Sequence, residues 1–263
     1  MRQALFAPNL RSMTWGYIAL VLIFLYVPLI PPVLFSLGAG EGGSGAWTLR
    51  WYAEMWRNPI LTSSMITTLE IGVVVAIAAT ALGLAAAMAI RELRIPRLVL
   101  LLMLLPLFIP GVSMGLATAF FFRQLGLAPS PLTIAIVQML WALPFATLVV
   151  LTAMSTFDPI YLEAAYLSGA NRPRAFFDVE LPLIWPGISS AATFSLILSF
   201  NETIRTSIVQ GPYNTVQTYI WSTYKQIGLS PTLYALMSLL IVLTLALVAA
   251  SLLAGARQAG RSA

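Results

Sequence analysis

The side chains that could do chemistry are few in this chain, and most of them interrupt long apolar stretches. The densest polar group is segment 199–207, which contains Asn201, Glu202 and Arg205. Glu202 and Arg205 stand three residues apart, so on one helix they would be neighbours and could form an ion pair. Alternatively, Asn201 and Glu202 face a pathway and contact a polar or cationic solute. No convincing pair of nucleophile and base accompanies them, so the pattern favours binding over catalysis.

Glu70 is a second acidic residue inside an apolar stretch, and no basic residue lies near it in the sequence. An ionisable group is costly in hydrocarbon, so Glu70 is expected to face other helices or water rather than lipid. It could pair with Arg205 or Arg123, or it could contact a solute.

Segment 211–230 carries the aromatic residues Trp221 and Tyr224 beside Lys225. Aromatic rings with a polar edge prefer the boundary between membrane and water, so the segment could anchor the chain there. It could also form a gate or a surface for a partner protein. The residue types are compatible with both interpretations.

The composition indicates a membrane protein. Hydrophobic residues make up 59% of the 263 residues and charged residues only 9%, which is far below the charged share of soluble domains. The net charge of +5 comes from single basic residues, whereas a nucleic-acid-binding face needs them clustered, so no nucleic acid is expected as a partner. The chain has no Cys and no His, which argues against disulfides, a metal centre and histidine-based catalysis.

Six apolar stretches are long enough to cross a bilayer, since a transmembrane helix needs about 20 apolar residues. Each is predicted to be helical, because a helix satisfies its own backbone hydrogen bonds in hydrocarbon. The first stretch exceeds the apolar part of a signal peptide and is therefore taken as a span. The predicted spans are 15–37, 63–90, 98–122, 132–156, 184–208 and 231–254.

Basic residues near the span ends predict the orientation, because they accumulate on the cytoplasmic side. Their distribution favours both termini inside. The predicted organisation is a cytoplasmic tail over 1–14, one transmembrane domain over 15–256 and a cytoplasmic tail over 257–263. The multi-pass chain would have membrane lipid as its surrounding partner.

The connection over about 157–183 is the cytoplasmic loop that has room for internal structure. The Asp-Pro pair at 158–159 is a good helix start, since Asp accepts a backbone N–H and Pro suits the first helical position. A short helix then follows and ends at Gly169, which can adopt the left-handed conformation. Two alanines after Glu163 would let another protein approach the backbone closely; the alternative is an interfacial helix that only joins two spans.

The same loop resembles the EAA motif of permeases from binding-protein-dependent ABC importers. The resemblance is carried by Glu163, Ala164, Ala165, Gly169, Leu181 and Pro182 at the spacing of that family. It implies a coupling helix that sits in a cleft of an ATP-binding subunit and passes the motion of that subunit to the membrane helices. Glu163 would then pair with or cap groups in the cleft, the alanines would give close contact and Gly169 would turn the chain. Leu181 and Pro182 would begin the return into the membrane.

This resemblance covers nearly everything after about residue 15 and implies a fold and a set of partners. The fold class is all-α integral membrane, a six-transmembrane-helix ABC importer permease bundle with a cytoplasmic coupling helix. The implied partners in a bacterial inner membrane are a second similar permease subunit, two ATP-binding subunits and an external solute-binding protein. No Gly-x-x-x-x-Gly-Lys-Ser/Thr segment is present, so ATP and Mg are expected on the partner ATPase and no cofactor in this chain.

Segment 199–231 resembles the spermidine/putrescine-type permeases in particular, through Ser199-Phe200-Asn201-Glu202, Gly211-Pro212, Thr218–Tyr224 and Gly228–Pro231. An importer subunit for a small polar or cationic solute, polyamine-like, is therefore expected. Its pathway residues would be Asn201, Glu202, Arg205, Glu70, Trp221 and Tyr224. Those permeases often carry acidic residues where this chain has Asn201, so one negative charge fewer is available to a polyammonium ligand. The alternatives are import of an opine, an amino-acid derivative or a phosphonate, and a secondary transporter or channel.

Overall fold

The computed structural model describes residues 8–38, 47–93 and 96–259. These residues form thirteen α-helices and no strand, which confirms the prediction of an all-α fold. The helices are α1 (Pro8–Tyr26), α2 (Ile30–Ser36), α3 (Arg50–Arg57), α4 (Pro59–Glu92), α5 (Pro96–Leu104), α6 (Gly111–Gln124), α7 (Pro131–Ser155), α8 (Ile160–Leu167), α9 (Arg172–Ala175), α10 (Leu181–Phe200), α11 (Ile204–Val209), α12 (Val216–Ile227) and α13 (Pro231–Ala259). The predicted tails at 1–14 and 257–263 lie partly outside the described residues.

Five segments in the described part of the chain are long and apolar enough to cross a membrane. They are Met13–Ser36, Pro59–Glu92, Pro131–Ser155, Arg172–Phe200 and Pro231–Leu253. A sixth span is present if α5 and α6, which are joined by a sharp bend, count as one. The predicted number of six spans therefore agrees with the structure when α5 and α6 are counted together as one span.

The third predicted span, 98–122, is broken rather than continuous. The segment Pro96–Phe108 meets α6 at an angle of 99°. The break falls at Ile109 and Pro110, whose backbones are extended with ψ angles of 127° and 135°. Pro110 has no N–H to continue the helix and disfavours helical backbone in the residue before it, so the helix restarts only at Gly111.

The fifth predicted span, 184–208, is also interrupted. The helix α10 begins at Leu181 and ends at Phe200, and α11 starts at Ile204. The side-chain amide of Asn201 donates a hydrogen bond of 2.8 Å to the carbonyl of Ile197 and so satisfies one of the free carbonyls at the end of α10. The polar segment 201–203 therefore separates two helices instead of lying inside one.

The larger of two compact units comprises 59–226 and 244–263. The helices α4, α7 and α10 pack together in it, and small residues allow the backbones to approach closely. At Gly83 of α4, an added Cβ would lie 3.0 Å from the Cβ of Ala146 in α7. The buried core between these helices includes Val75, Ala79, Ala146, Val150 and Ala191.

Gly187 is a point of very close contact between α10 and α7, because an added Cβ would lie 2.1 Å from the Cβ of Ala153. We expect Gly187→Val to lower the free energy of unfolding by about 1–3 kcal/mol, the usual cost of overpacking. Thermal unfolding of the purified chain measures the effect. Gly16→Val is the matched control, since no atom lies within 4 Å of its added Cβ. Equal Tm values for the two variants would contradict the tight contact.

The smaller unit comprises 1–58 and 227–243. The hydroxyl of Tyr52 in α3 lies 2.8 Å from Ser36 Oγ and 2.6 Å from Ser238 Oγ. The rings of Phe35 and Tyr234 pack with their centroids 5.1 Å apart. These contacts join α3 and the end of α2 to the first part of α13.

Candidate functional site

The connection between α7 and α10 contains a helix with both ends fixed by local sequence, as predicted. At its start, Asp158 Oδ1 accepts a backbone N–H of the first turn of α8 at 3.0 Å. At its end, Gly169 has a φ of +86°. Gly169 donates its N–H to the carbonyl of Tyr166, and Ala170 donates to that of Ala165, each at 3.0 Å. This Schellman ending needs a residue that tolerates positive φ, which Gly169 supplies.

Most side chains of α8 are exposed, and we refer to one stripe of them as the outer face. It comprises Ile160, Glu163, Ala164 and Leu167, whose spacing places them on one stripe of the helix. Leu167 is 90% exposed and lies on this stripe beside Ile160, which is also an exposed apolar residue. The sequence interpretation identified Glu163 and Ala164 but missed Ile160 and Leu167, although their helical spacing from Glu163 was a usable signal.

The opposite side of α8 faces a cavity of about 630 Å³. Leu162 and Tyr166 of α8 line this cavity, together with Arg91 at the end of α4 and Met154 near the end of α7. Ala165 is half-buried, unlike Ala164 beside it. Side chains of α8 therefore lie close to the ends of α4 and α7, in addition to the backbone connection between α7 and α8.

An ion pair between a partly exposed arginine and a buried carboxylate joins the end of α4 to the start of α10. Both terminal nitrogens of Arg91 donate to the carboxylate of Glu180, and the Nη2 to Oε2 distance is 3.3 Å. The Glu180 side chain is 2% exposed and that of Arg91 is 36% exposed. Glu180 closes a π-helical turn, a feature frequent at functional sites, directly before Leu181. The sequence interpretation named Leu181 and Pro182 but missed this pair, because its members are 89 residues apart.

Removing one partner of this pair should destabilise the chain. Breaking a fully buried pair costs about 3–5 kcal/mol, and because Arg91 is partly exposed we expect about 1–3 kcal/mol for Arg91→Gln. The double variant Arg91→Gln/Glu180→Gln leaves no buried charge and should regain much of that loss. Thermal unfolding is the measurement, and Arg174→Gln is the control, since Arg174 and Asp178 form an exposed pair. A control as unstable as Arg91→Gln would contradict the prediction.

Glu202 and Arg205 do form an ion pair, but across the start of α11 rather than along one helix. Glu202 Oε1 accepts the backbone N–H of Arg205 at 2.9 Å, and Oε2 accepts Nη1 at 2.7 Å. Both side chains are more than nine-tenths buried. The guanidinium carbon of Arg205 lies 4.0 Å from the ring centroid of Trp141, which is a cation–π contact. The charge of Glu202 is therefore neutralised within the chain.

A second buried polar cluster holds α11 against α7. Gln138 donates from Nε2 to Thr206 Oγ1 at 2.9 Å and accepts from Ser199 through Oε1. Thr133 Oγ1 donates to the carbonyl of Val209 at 3.1 Å. Buried networks whose members find partners rigidify their surroundings. The backbone that carries the Glu202–Arg205 pair is therefore fixed at both ends.

The other predicted pathway residues lie apart from this pair, at exposed positions. Glu70 is on an exposed face of α4 and, within the described residues, forms no ion pair, so the alternative in which it pairs with Arg205 or Arg123 is not found. Asn201 is exposed, with its amide bound to the end of α10. The structure thus brings two of the six predicted pathway residues, Glu202 and Arg205, into contact with each other.

Trp221 and Tyr224 are both exposed on α12. The Nζ atom of Lys225 lies 4.5 Å from the ring centroid of Trp221. This cation–π contact on an exposed helix is compatible with an interfacial position and with a partner surface.

The acidic side chains in the described part of the chain do not gather into a metal site. No group of three His, Cys, Asp or Glu side chains there could hold a metal ion. The buried carboxylates of Glu180 and Glu202 are each neutralised by an arginine.

A family model described as "Binding-protein-dependent transport system inner membrane component" matches residues 79–257. The match covers more than half of the chain and includes α8 with the helices on either side of it. The chain therefore belongs to this family and is an ABC importer permease subunit, a transport component and not an enzyme. The resemblance stated from the EAA motif, which is typical of the family, is confirmed.

Individual relatives agree with the family. The "Spermidine/putrescine transport system permease protein PotC" of Escherichia coli is 27% identical over 246 residues, which cover 92% of this chain and 93% of that protein. The "Putrescine transport system permease protein PotI" of Escherichia coli is 28% identical over 247 residues, or 89% and 88% of the two chains. A solved bacterial ABC transporter involved in the import of the acidic polysaccharide alginate superposes with a TM-score of 0.66 at 18% identity over 95% of each chain. This superposition supports the fold and says nothing of the solute.

Proposed function

We propose that this subunit forms half of a translocation pathway for a small polar or cationic organic solute and is driven by ATP hydrolysis on a partner. The observation that carries the proposal is the outer face of α8, where Glu163 and Leu167 are exposed within the family's typical motif. An apolar centre with a charged neighbour is the composition of a protein interface. An ATP-binding subunit, with ATP and Mg bound to it, would dock on this face.

The proposed mechanism is alternating access. Two ATP-binding subunits, a second similar permease subunit and an external solute-binding protein would complete the assembly, with both termini of this chain in the cytoplasm. Closure of the ATP-binding subunits would bring the two α8 helices together. The side chains around the cavity behind α8, and the Arg91–Glu180 pair, would pass this movement to α4, α7 and α10. The pathway would then open outward and accept the solute.

A polyamine-like solute is favoured by the relatives, because PotC and PotI are named for spermidine and putrescine transport. A polyammonium ligand needs carboxylates or other acceptors along its path. The exposed carboxylate of Glu70 and the exposed amide oxygen of Asn201 are the acceptors that this chain would offer.

A second candidate solute class is favoured by one observation, the neutralisation of Glu202 by Arg205. Because both oxygens of Glu202 are bound to Arg205, no free carboxylate is left in segment 201–205 for a polyammonium ligand. An amino-acid derivative, an opine or a phosphonate needs fewer negative charges on the protein.

The proposal is tested by reconstituting the complete importer in liposomes and measuring uptake with ATP enclosed at the side of the ATP-binding subunits. Uptake should require ATP and should persist when ion gradients are collapsed. Uptake that needs no ATP-binding subunit and fails without an ion gradient would indicate a secondary transporter or channel instead. Calorimetry of the solute-binding protein with polyamines, opines and phosphonates then separates the two solute classes.

A further inference from the structure

A second cavity in the larger unit has a volume of about 440 Å³ and lies where α6, α7 and α11 meet. We refer to it as the α6–α7 pocket. Most of its walls are apolar: Ala119 and Phe122 come from α6, Leu127 and Pro129 from the connection to α7, and Val209 from α11. Pockets that hold small molecules have volumes of roughly 300–1,000 Å³, so this one is large enough for a ligand.

The α6–α7 pocket lies at the start of a candidate membrane span. The 25 residues of α7 extend over about 38 Å at 1.5 Å per residue, which exceeds the hydrocarbon thickness of about 30 Å. The two ends of α7 therefore lie at opposite membrane surfaces. Thr133, near the first end, lines the pocket, whereas α8 follows the other end. The pocket is thus near the membrane surface opposite to α8.

The chain around the lining residues exposes large apolar side chains. Phe120 and Phe121 of α6, Leu125 after it and Leu132 of α7 are each more than half exposed. On a chain that crosses a membrane, an exposed apolar surface at the end of a span favours contact with lipid tails over contact with water. The hydrocarbon of the bilayer can therefore reach this part of the chain.

Water is a poor occupant of the α6–α7 pocket, because polar groups of its lining already have partners. The Oγ1 atom of Thr133 donates to two backbone carbonyls, at 2.8 and 3.1 Å, and accepts a backbone N–H at 2.9 Å. A Schellman turn ends α6, in which Leu127 donates to the carbonyl of Phe122 at 2.9 Å and Gly126 to that of Arg123 at 3.1 Å. A buried water needs about two to four polar partners.

Arg123 supplies a positive charge to the lining of this apolar pocket. Its side chain is exposed and forms no ion pair with any residue that the structure describes. None of the lining residues is acidic. A guanidinium binds phosphate through two parallel hydrogen bonds, and arginines near the ends of spans reach toward the lipid headgroups. The charge of Arg123 and the apolar walls together fit a ligand with an anionic head and an apolar chain.

We propose that the α6–α7 pocket binds an anionic phospholipid, with one acyl chain inside the pocket and the phosphate on the guanidinium of Arg123. Free phosphate would leave the apolar walls uncovered, and a neutral lipid would leave the charge of Arg123 unbalanced. The bound chain would fill the space between α6, α7 and α11. This lipid site is separate from the transported solute and from the ATP-binding subunit, and its occupancy does not require ATP.

The experiment places a small ¹⁹F label at the pocket. The chain has no Cys, so Ala128→Cys, at an exposed lining residue, gives this chain one position for a trifluoromethyl label. The assembled importer is placed in phosphatidylcholine nanodiscs with an increasing mole fraction of phosphatidylglycerol, and the resonance is assigned through its absence when the chain lacks the cysteine. We expect a shift that saturates with phosphatidylglycerol. Glycerol phosphate, which has the head without the chains, should cause none.

A nitroxide on the acyl chain tests whether that chain enters the pocket. Phosphatidylglycerol with a nitroxide at mid-chain should broaden the ¹⁹F resonance strongly, and phosphatidylcholine with the same nitroxide at the same mole fraction should broaden it much less. The difference follows from the charge of Arg123, since both lipids carry identical chains.

Two pairs of variants separate the head from the chain. Arg123→Gln should raise the half-saturating fraction of phosphatidylglycerol about 5- to 10-fold, the loss of a charged contact at a membrane surface. Arg57→Gln, at an exposed arginine that does not line the pocket, is its control and should bind like the unaltered chain. Ala119→Phe fills the pocket and should abolish the selective broadening, whereas Ala117→Phe makes the same change at an exposed position of α6 and should retain it.

Several outcomes would overturn the proposal. One is a resonance that does not respond to phosphatidylglycerol, and another is equal half-saturating fractions for Arg123→Gln and Arg57→Gln. Equal broadening by the two nitroxide lipids would show that the pocket does not select an anionic lipid. A shift produced by the solute-binding protein and not by phosphatidylglycerol would make the pocket a protein contact instead. Thermal unfolding of Ala119→Phe checks its fold, and Arg123→Gln tests the proposal independently of that variant.

Discussion

Replacing Glu163 by arginine should abolish co-purification of the ATP-binding subunit and ATP-driven uptake, while the chain itself stays folded. Glu163 is exposed on α8, and the hydrogen bonds that fix this helix come from Asp158 and the Schellman turn at Gly169. A reversed charge inside a docked interface costs several kcal/mol, which corresponds to a loss of affinity of a hundredfold or more, on the order of the loss at a hot spot.

Leu167→Asp is a second test of the same surface, and it does not depend on the resemblance that first singled out Glu163. Leu167 is 90% exposed, so its replacement removes no packing within this chain. Placing a carboxylate at the apolar centre of an interface should weaken binding of the ATP-binding subunit by at least about 2 kcal/mol. Affinity purification through a tag on this chain, followed by quantification of the co-purified ATPase, measures both variants.

Glu54→Arg in α3 is the control, because it makes the same change of net charge at an exposed pair with Arg50. It should retain the ATPase. If Glu163→Arg and Leu167→Asp both retained the ATPase and its coupling to uptake, the outer face of α8 would not be the docking surface. Thermal unfolding of each variant checks that loss of the partner does not follow from loss of the fold.

The parts of this fold that sequence could predict are those with local causes. The helix α8 begins and ends where Asp158 and Gly169 predict, because a cap and a left-handed turn act within a few residues of themselves. The apolar spans follow from the demand of hydrocarbon that backbone groups pair within each segment. The i, i+3 spacing of Glu202 and Arg205 allowed an ion pair as one of two alternatives, and the pair forms, although Glu202 precedes α11 instead of sharing a helix with Arg205.

What sequence could not predict depends on neighbours that are distant along the chain. The prolines of the third span were visible, but whether they bend or break a helix depends on what satisfies the freed backbone groups. The pairing of Arg91 with Glu180 joins residues 89 positions apart, and that of Gln138 with Thr206 joins residues 68 apart. The break before α11 was not predicted, because the span 184–208 was placed from its apolar length, and a length requirement does not show where a helix is interrupted.

Loss of the Glu202–Arg205 pair should strongly lower the free energy of unfolding. Single and double substitutions separate the contribution of each side chain from the interaction between them. Arg205→Gln leaves the Glu202 carboxylate buried without a counter-charge, which should cost about 3–5 kcal/mol of unfolding free energy. Glu202→Gln leaves the guanidinium stacked on Trp141, a contact worth about 2 kcal/mol when desolvated, so this variant should lose less than Arg205→Gln. Denaturant unfolding of the purified chain measures each loss.

The double variant Glu202→Gln/Arg205→Gln buries two neutral amides that can bond each other, and it should be more stable than Arg205→Gln alone. The coupling free energy from the four-member cycle should therefore be at least about 2 kcal/mol. The exposed Arg50–Glu54 pair is the matched cycle, with an expected coupling of about 0–1 kcal/mol.

The same set of variants decides between the two interpretations that the sequence allowed, a structural ion pair and direct contact of Glu202 with the solute. If the pair is structural, its loss lowers the stability of the chain, and it lowers uptake only by reducing the amount of folded protein. Uptake per folded molecule should then change little in Glu202→Gln. If Glu202→Gln and Arg205→Gln instead kept their stability and lost uptake of the solute, the carboxylate would act on the solute directly. The burial of both side chains and the two hydrogen bonds between them favour the structural outcome for Glu202.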